Sequence, residues 1–171
     1  MTPEQLCFKP ADILLPKDCD LSLWSVVACD QYTSEPEYWA ETERIVGNAP
    51  STLHLILPEV YLESPDVEQK IRDINATMRA YLNQGLFTQL DHSFILVERH
   101  LHGQGIRYGL MGMVDLEQYD YEKGAVSAIR ATEGTVLSRL PPRVRVRRDA
   151  PIELPHVLLL VADRSEERRV G

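Results

Sequence analysis

Val67, Ile71, Ile74, Met78 and Leu82 recur at intervals of four, three, four and four residues, a spacing that lines one face of a helix. Ser64 stands ahead of them as a candidate cap, Pro65 suits the first helical position, and Gly85 follows as a stop. The pattern predicts a helix about 30 Å long. A second helix, over about 35–46, is predicted from other signals. Ser34 and Glu37 form an S-x-x-E capping box, Pro36 lies near the first turn, and Gly47 ends the run.

Other stretches read as strands. Residues 23–29 (LWSVVAC) are strand-like and lead into Asp30-Gln-Tyr-Thr-Ser34, and residues 52–57 form a short apolar run closed by Pro58. Residues 93–101 and 106–115 are expected to pair as a hairpin through the four-residue loop His102-Gly-Gln-Gly105. Residues 157–162 (VLLLVA) read as a further strand. Residues 143–148 (RVRVRR) stay open: their alternation fits an exposed strand, yet Pro141-Pro142 ahead of them equally opens a short helix. The mixture predicts an α+β (mixed α/β) fold, with a central mixed sheet, a hairpin and at least two helices. Residues 1–163 are expected to belong to one larger domain.

Charge changes the picture. The 171 residues carry a formal net charge of -8, yet residues 130–148 (RATEGTVLSRLPPRVRVRR) hold six arginines, no lysine and one carboxylate, a local +5. The rest of the chain up to residue 163 has nine Lys/Arg against 23 Asp/Glu, which is -14. Such a surface repels nucleic-acid backbone in general and admits an anion at one focused place. The longest apolar run, residues 157–162, falls far short of the ~20 residues that a membrane helix needs. The opening residues lack the layout of a secretory signal, so a cytoplasmic protein is expected. Cys7, Cys19 and Cys29 make no C-x-x-C pair and read as reduced structural thiols.

Candidate chemistry falls in two places. Asp30, Gln31, Tyr32 and Thr33 sit where a strand is expected to give way to a helix N-terminus, whose free amides favour anions. In the arginine-rich stretch, Arg130, Thr132, Thr135, Arg139 and Arg143 are candidate anion contacts, because a guanidinium fork matches phosphate or carboxylate. Arg139 and Arg143, around Pro141-Pro142, lead that set, whereas Arg145 and Arg147 are expected to face solvent. Glu133, the one carboxylate there, either acts as a base towards a hydroxyl or pairs with Arg130 or Arg139. His100 and His102 form an H-x-H pair at the hairpin tip, where two ligands do not make a metal site. His54 and His156 read as core histidines. The common nucleotide and hydrolase signatures G-x-G-x-x-G, G-x-x-x-x-G-K-[ST] and G-x-S-x-G are absent.

WSVVACDQYTSEPEYW, APSTLHLILPEVYLE, IRATEGTVLSRLPPRVRVR and APIELPHVLLLVAD together resemble a bacterial family catalogued as domain of unknown function 1015, loosely labelled ParB-like. The resemblance covers residues 8–163 and implies a protein longer than this chain. Residues 164–171 (RSEERRVG) resemble the in-frame translation of a short-read sequencing adapter, so the native sequence is expected to depart at about Asp163. ParB-type domains and the free serine kinases related to them bind nucleotides and handle phosphate, and family genes associate with serine biosynthesis. Distant branches keep a His-Glu-x-Thr element where this chain has Thr132-Glu133-Gly134-Thr135. The resemblance therefore offers Glu133 and Thr135 as site residues, and Arg143 as a following arginine. The family's Asp-Gly-x-His motif has no counterpart here, so this fragment is expected to be inactive alone. The implied function is a metabolic enzyme fragment with an arginine-lined site for a phosphorylated small molecule or nucleotide, and phosphoryl transfer in serine metabolism is its most concrete form. The alternative is a ParB-like regulatory or DNA-associated module. The lack of aromatics over residues 129–150 and the net charge argue against nucleic acid.

Overall fold

The long amphipathic stretch forms helix α3, Val67–Asn83, whose 17 residues span about 25 Å. Ile71, Ile74 and Met78 are buried on it as the spacing requires, but the stripe continues through Tyr81, while Leu82 is 37% exposed. Ser64 does not cap this helix. Its hydroxyl donates to the Tyr61 carbonyl at 2.8 Å, and Asp66 pairs with Lys70 at 3.3 Å across the first turn. Asn75 lies in the buried stripe, and its Oδ1 has no hydrogen-bond partner among the described residues.

These features come from a computed structural model that describes residues 6–120, 122, 124, 127–130, 137 and 140–160. The remaining elements are β1 (Phe8–Lys9), β2 (Ala11–Pro16), α1 (Leu21–Trp24), α2 (Pro36–Val46), β3 (Phe87–Ser93), β4 (Ile95–Leu101), β5 (Gly105–Met111), β6 (Met113–Val114) and α4 (Leu140–Arg147). Short 3-10 turns occupy Thr52–Leu55, Glu59–Tyr61 and Leu116–Gln118. The fold class is α+β. Among the described residues the sheets are three antiparallel pairs, β1 with β6, β2 with β3, and β4 with β5, rather than one central mixed sheet. The chain divides into two compact units, residues 1–20 with 80–141, and residues 21–79 with 142–171.

In the first of these units the hairpin forms as the pattern predicts. β4 and β5 pair from Ile95↔Met111 to Leu101↔Gly105, with a connection of three residues rather than four. Gly103 and Gly105 take positive φ of 70° and 86°, which glycine adopts at little steric cost. Ser93 belongs to β3, and Met113 and Val114 leave the hairpin to pair with Phe8 and Lys9. Gly112 makes that exchange sterically feasible: a Cβ there would lie 2.6 Å from the Lys9 carbonyl oxygen and under 3 Å from the rings of Phe8 and Phe94.

The other unit is built around Trp39, Val46 and Leu53, against which Val26, Val27, Tyr38, Ile56, Val60 and Tyr61 pack. α2 starts at Pro36, but Glu35 occupies the cap position with no side-chain capping bond. Ser34 therefore lies outside the helix, and the expected capping box does not form. Gly47 closes α2 in the left-handed region, its N–H reaching the Glu43 carbonyl at 2.9 Å.

Two expected strands here are something else. Residues 23–29 begin as α1 and continue without regular structure, and the Trp24 carbonyl is taken by the hydroxyls of Ser51 and Thr52 at 3.2 and 2.7 Å. Residues 52–57 open as a 3-10 turn because the buried Ser51 hydroxyl accepts the Leu53 N–H at 3.2 Å, the local bonding by which serine competes with strand ladders. Leu53, Leu55 and Leu57 are buried all the same.

Residues 140–147 resolve the open reading of the arginine stretch in favour of a helix, with Pro141 and Pro142 in its first turn. Residues 157–160 form no strand, and Val157, Leu158 and Leu160 are more than 80% exposed. A strand exists only where an edge accepts it, and none of the described strands pairs with this segment. Residues 161–171, with the rest of the expected strand and the adapter-like octapeptide, lie outside the described residues. No described helix is long and apolar enough to cross a membrane.

Candidate functional site

Arg143 projects from α4 towards the 3-10 turn at Glu59–Tyr61. Its Nε donates to Glu59 Oε1 at 3.0 Å, and a second guanidinium nitrogen donates to the same oxygen. Glu59 is fixed from behind, because its N–H donates to the Cys29 carbonyl at 2.8 Å. The loop that follows Cys29 is held locally. The Gln31 N–H reaches the Ala28 carbonyl at 3.0 Å, Gln31 Nε2 donates to Asp30 Oδ1 at 3.3 Å, and the Glu35 N–H reaches the Tyr32 carbonyl at 3.2 Å. Tyr32 has a φ of 51°, uncommon for a bulky residue. Its ring stacks on Tyr38 with centroids 3.9 Å apart.

The electrostatics follow from this grouping. Burial pushes the Cys29 thiol up from its ordinary range, the carboxylates of Asp30 and Glu59 push it further, and Arg143 partly offsets them. The thiol is therefore protonated at neutral pH and is a poor nucleophile. The hydrogen bonds to Glu59 hold the Arg143 guanidinium still more firmly protonated than usual. One cation thus faces two carboxylates.

Of the residues singled out from sequence, the structure groups Arg143 with Asp30 electrostatically, and Gln31 and Tyr32 lie in the same loop. Arg130 belongs to the other unit, where its Nε donates to the Ser127 carbonyl at 3.3 Å. Thr132, Glu133, Thr135 and Arg139 lie outside the described residues. Glu35 and Glu37 occupy the start of α2, and their charge opposes an anion at that helix end. Arg145 and Arg147 are about half exposed and paired, with Glu68 at 2.8 Å and Glu153 at 3.6 Å. Glu59 and Glu68 went unmarked in the sequence. Only the acidic excess outside the arginine stretch hinted that such partners existed.

The histidines divide. His100 pairs with Glu98 on β4, His156 is exposed, and His54 sits in the 3-10 turn rather than in a strand. His54 lines a separate pocket of about 200 Å³ with Leu53, Leu57, Tyr61, Lys70 and Ile74. No group of three or more His, Cys, Asp or Glu suited to a metal occurs among the described residues.

No curated protein and no solved structure matches the chain. The profile of one family matches residues 9–170, nearly the whole sequence. The chain belongs to that family, whose description is "protein of unknown function (DUF1015)".

Proposed function

We propose that this chain carries the arginine-centred part of a binding site for a small anion, a phosphate-bearing metabolite or nucleotide, in a metabolic enzyme. The observation behind the reading is the Arg143 fork, already seated on a carboxylate beside the loop of Asp30, Gln31 and Tyr32. A carboxylate in that fork is the chemistry an incoming oxyanion would use. Glu59 then acts as an internal stand-in that the ligand displaces. The guanidinium of this pair is about half exposed and Glu59 mostly covered, so the pair is worth about 1 kcal/mol, a cost that a dianionic phosphate offsets with its own bonds to the fork. Phosphoryl transfer to or from a hydroxyl compound such as serine is the most concrete version, with Glu133 in the role of base. The pairing of Arg143, Arg145 and Arg147 with carboxylates favours a compact ligand over nucleic-acid backbone.

The test is a titration of the full chain with pyrophosphate and with O-phosphoserine, followed by thermal shift and calorimetry. Arg143→Ala is expected to abolish the response. Glu59→Gln, which removes the competing charge, is expected to tighten binding by up to about fivefold. Binding by both variants equal to wild type, or no wild-type binding at millimolar ligand, rejects the reading.

A further inference from the structure

Among the described helices of eight or more residues, α4 is held differently from its neighbours. α2 buries Trp39 and Val46, and α3 buries Ile71, Ile74, Met78 and Tyr81. α4 buries no residue, and its Leu140 and Val144 are 40% and 50% exposed. Pro142 and Val146 are partly covered, and the bonds that tie the helix and the residues just past it to named partners are charged or polar. Arg143 reaches Glu59, Arg145 reaches Glu68 at 2.8 Å, and Arg79 of α3 donates to the Asp149 carbonyl at 3.0 Å just past its end. Arg147 adds a looser 3.6 Å pair with Glu153 in the segment that follows.

Eight residues are too few for a helix to persist alone in water, and two of these are prolines that donate no backbone bond. The helical state of α4 therefore depends on its docking. That docking rests largely on ion pairs whose arginines are about half exposed, the kind that salt screens. We infer that α4 is an electrostatic strap: it stays folded against residues 59–79 while its arginines are paired, and it detaches and unwinds as one piece when those pairs are screened or outcompeted. This holds whether or not an anion is the natural ligand of Arg143. If one is, the same step that fills the fork also frees the strap.

Hydrogen exchange of the amides of residues 144–148 reads the strap directly, since the Arg148 N–H is bonded to the Val144 carbonyl at 2.9 Å only while the helix is wound. Raising NaCl from 0.02 to 0.5 M shortens the screening length from roughly 20 to roughly 4 Å. Exchange at these amides in the full chain is expected to accelerate about three- to tenfold, while the amides of residues 71–78 in α3 stay constant. Glu68→Gln/Glu153→Gln leaves Arg143 and Glu59 untouched and is expected to exchange fast already at low salt. A missing salt response at 144–148, an equal response in α3, or a double variant that exchanges like wild type overturns the strap. A parallel series with pyrophosphate at matched ionic strength addresses the anion site separately. Acceleration beyond that of NaCl supports both readings, and acceleration equal to it counts against the anion site while the strap stands.

Discussion

The grouping of Cys29, Asp30, Glu59 and Arg143 makes the thiol a reporter of charge at the candidate site. The perturbation is a pair of near-isosteric substitutions, Glu59→Gln and Arg143→Met, the second keeping an aliphatic stem so that access to Cys29 changes little. Asp30 and Glu59 raise the thiol and Arg143 lowers it, so the two variants should move it in opposite directions. One unit charge near a half-buried group, at a dielectric between that of water and about half of it, changes the energy of the thiolate by about 0.6–1.2 kcal/mol. At pH 7.5, well below the titration, the thiolate fraction then changes roughly three- to sevenfold. Alkylation of Cys29 by iodoacetamide, followed by peptide mass spectrometry with Cys7 and Cys19 as internal references, should quicken by that factor in Glu59→Gln and slow by a similar one in Arg143→Met. Rates that shift in the same direction in both variants, or remain within a factor of 1.5 of wild type (an assay threshold of about the size that ordinary salt screening removes), would refute the grouping.

Leu55 is 1% exposed, so Leu55→Ala should cost about 2–5 kcal/mol, read as a lower denaturant midpoint at unchanged slope; a loss under about 1 kcal/mol would mean that the turn can collapse onto the gap. The raised Cys29 thiol also predicts a pH effect. Unfolded chains lose the thiol proton first, near pH 8.5, so the contribution is fully present below that pH and is lost as pH rises towards the folded value. The melting temperature of wild type should therefore fall more steeply than that of Cys29→Ser between about pH 8 and 10, and parallel curves would show that the thiol is not shielded.

Local pattern carried the elements that need nothing beyond their own residues. The hairpin of β4 and β5 is specified by alternation and by glycines at positive φ, and α3 by its apolar stripe. α2 is bounded by Pro36 and Gly47 even though its capping box fails. The apolar run at residues 52–57 was legible as buried but not as a turn, because burial of Leu53, Leu55 and Leu57 is compatible with either geometry and the Ser51 hydroxyl decided between them. The arginine stretch stood out because a dense run of guanidinium groups in an acidic chain is visible without coordinates, and within it Arg143 was marked, with Arg139, by Pro141-Pro142 and by the family resemblance.

Composition and spacing alone determined the α+β class, the main helices, the hairpin and the concentration of arginine in one stretch, since each depends on residues a few positions apart. Tertiary structure decided which carboxylates meet those arginines. Glu59 lies 84 residues from Arg143, and Glu68 lies 77 from Arg145; no periodicity encodes separations of that size. Their meeting follows from the path of the chain between them, and it places Arg143, Arg145 and Arg147 of the basic run in ion pairs.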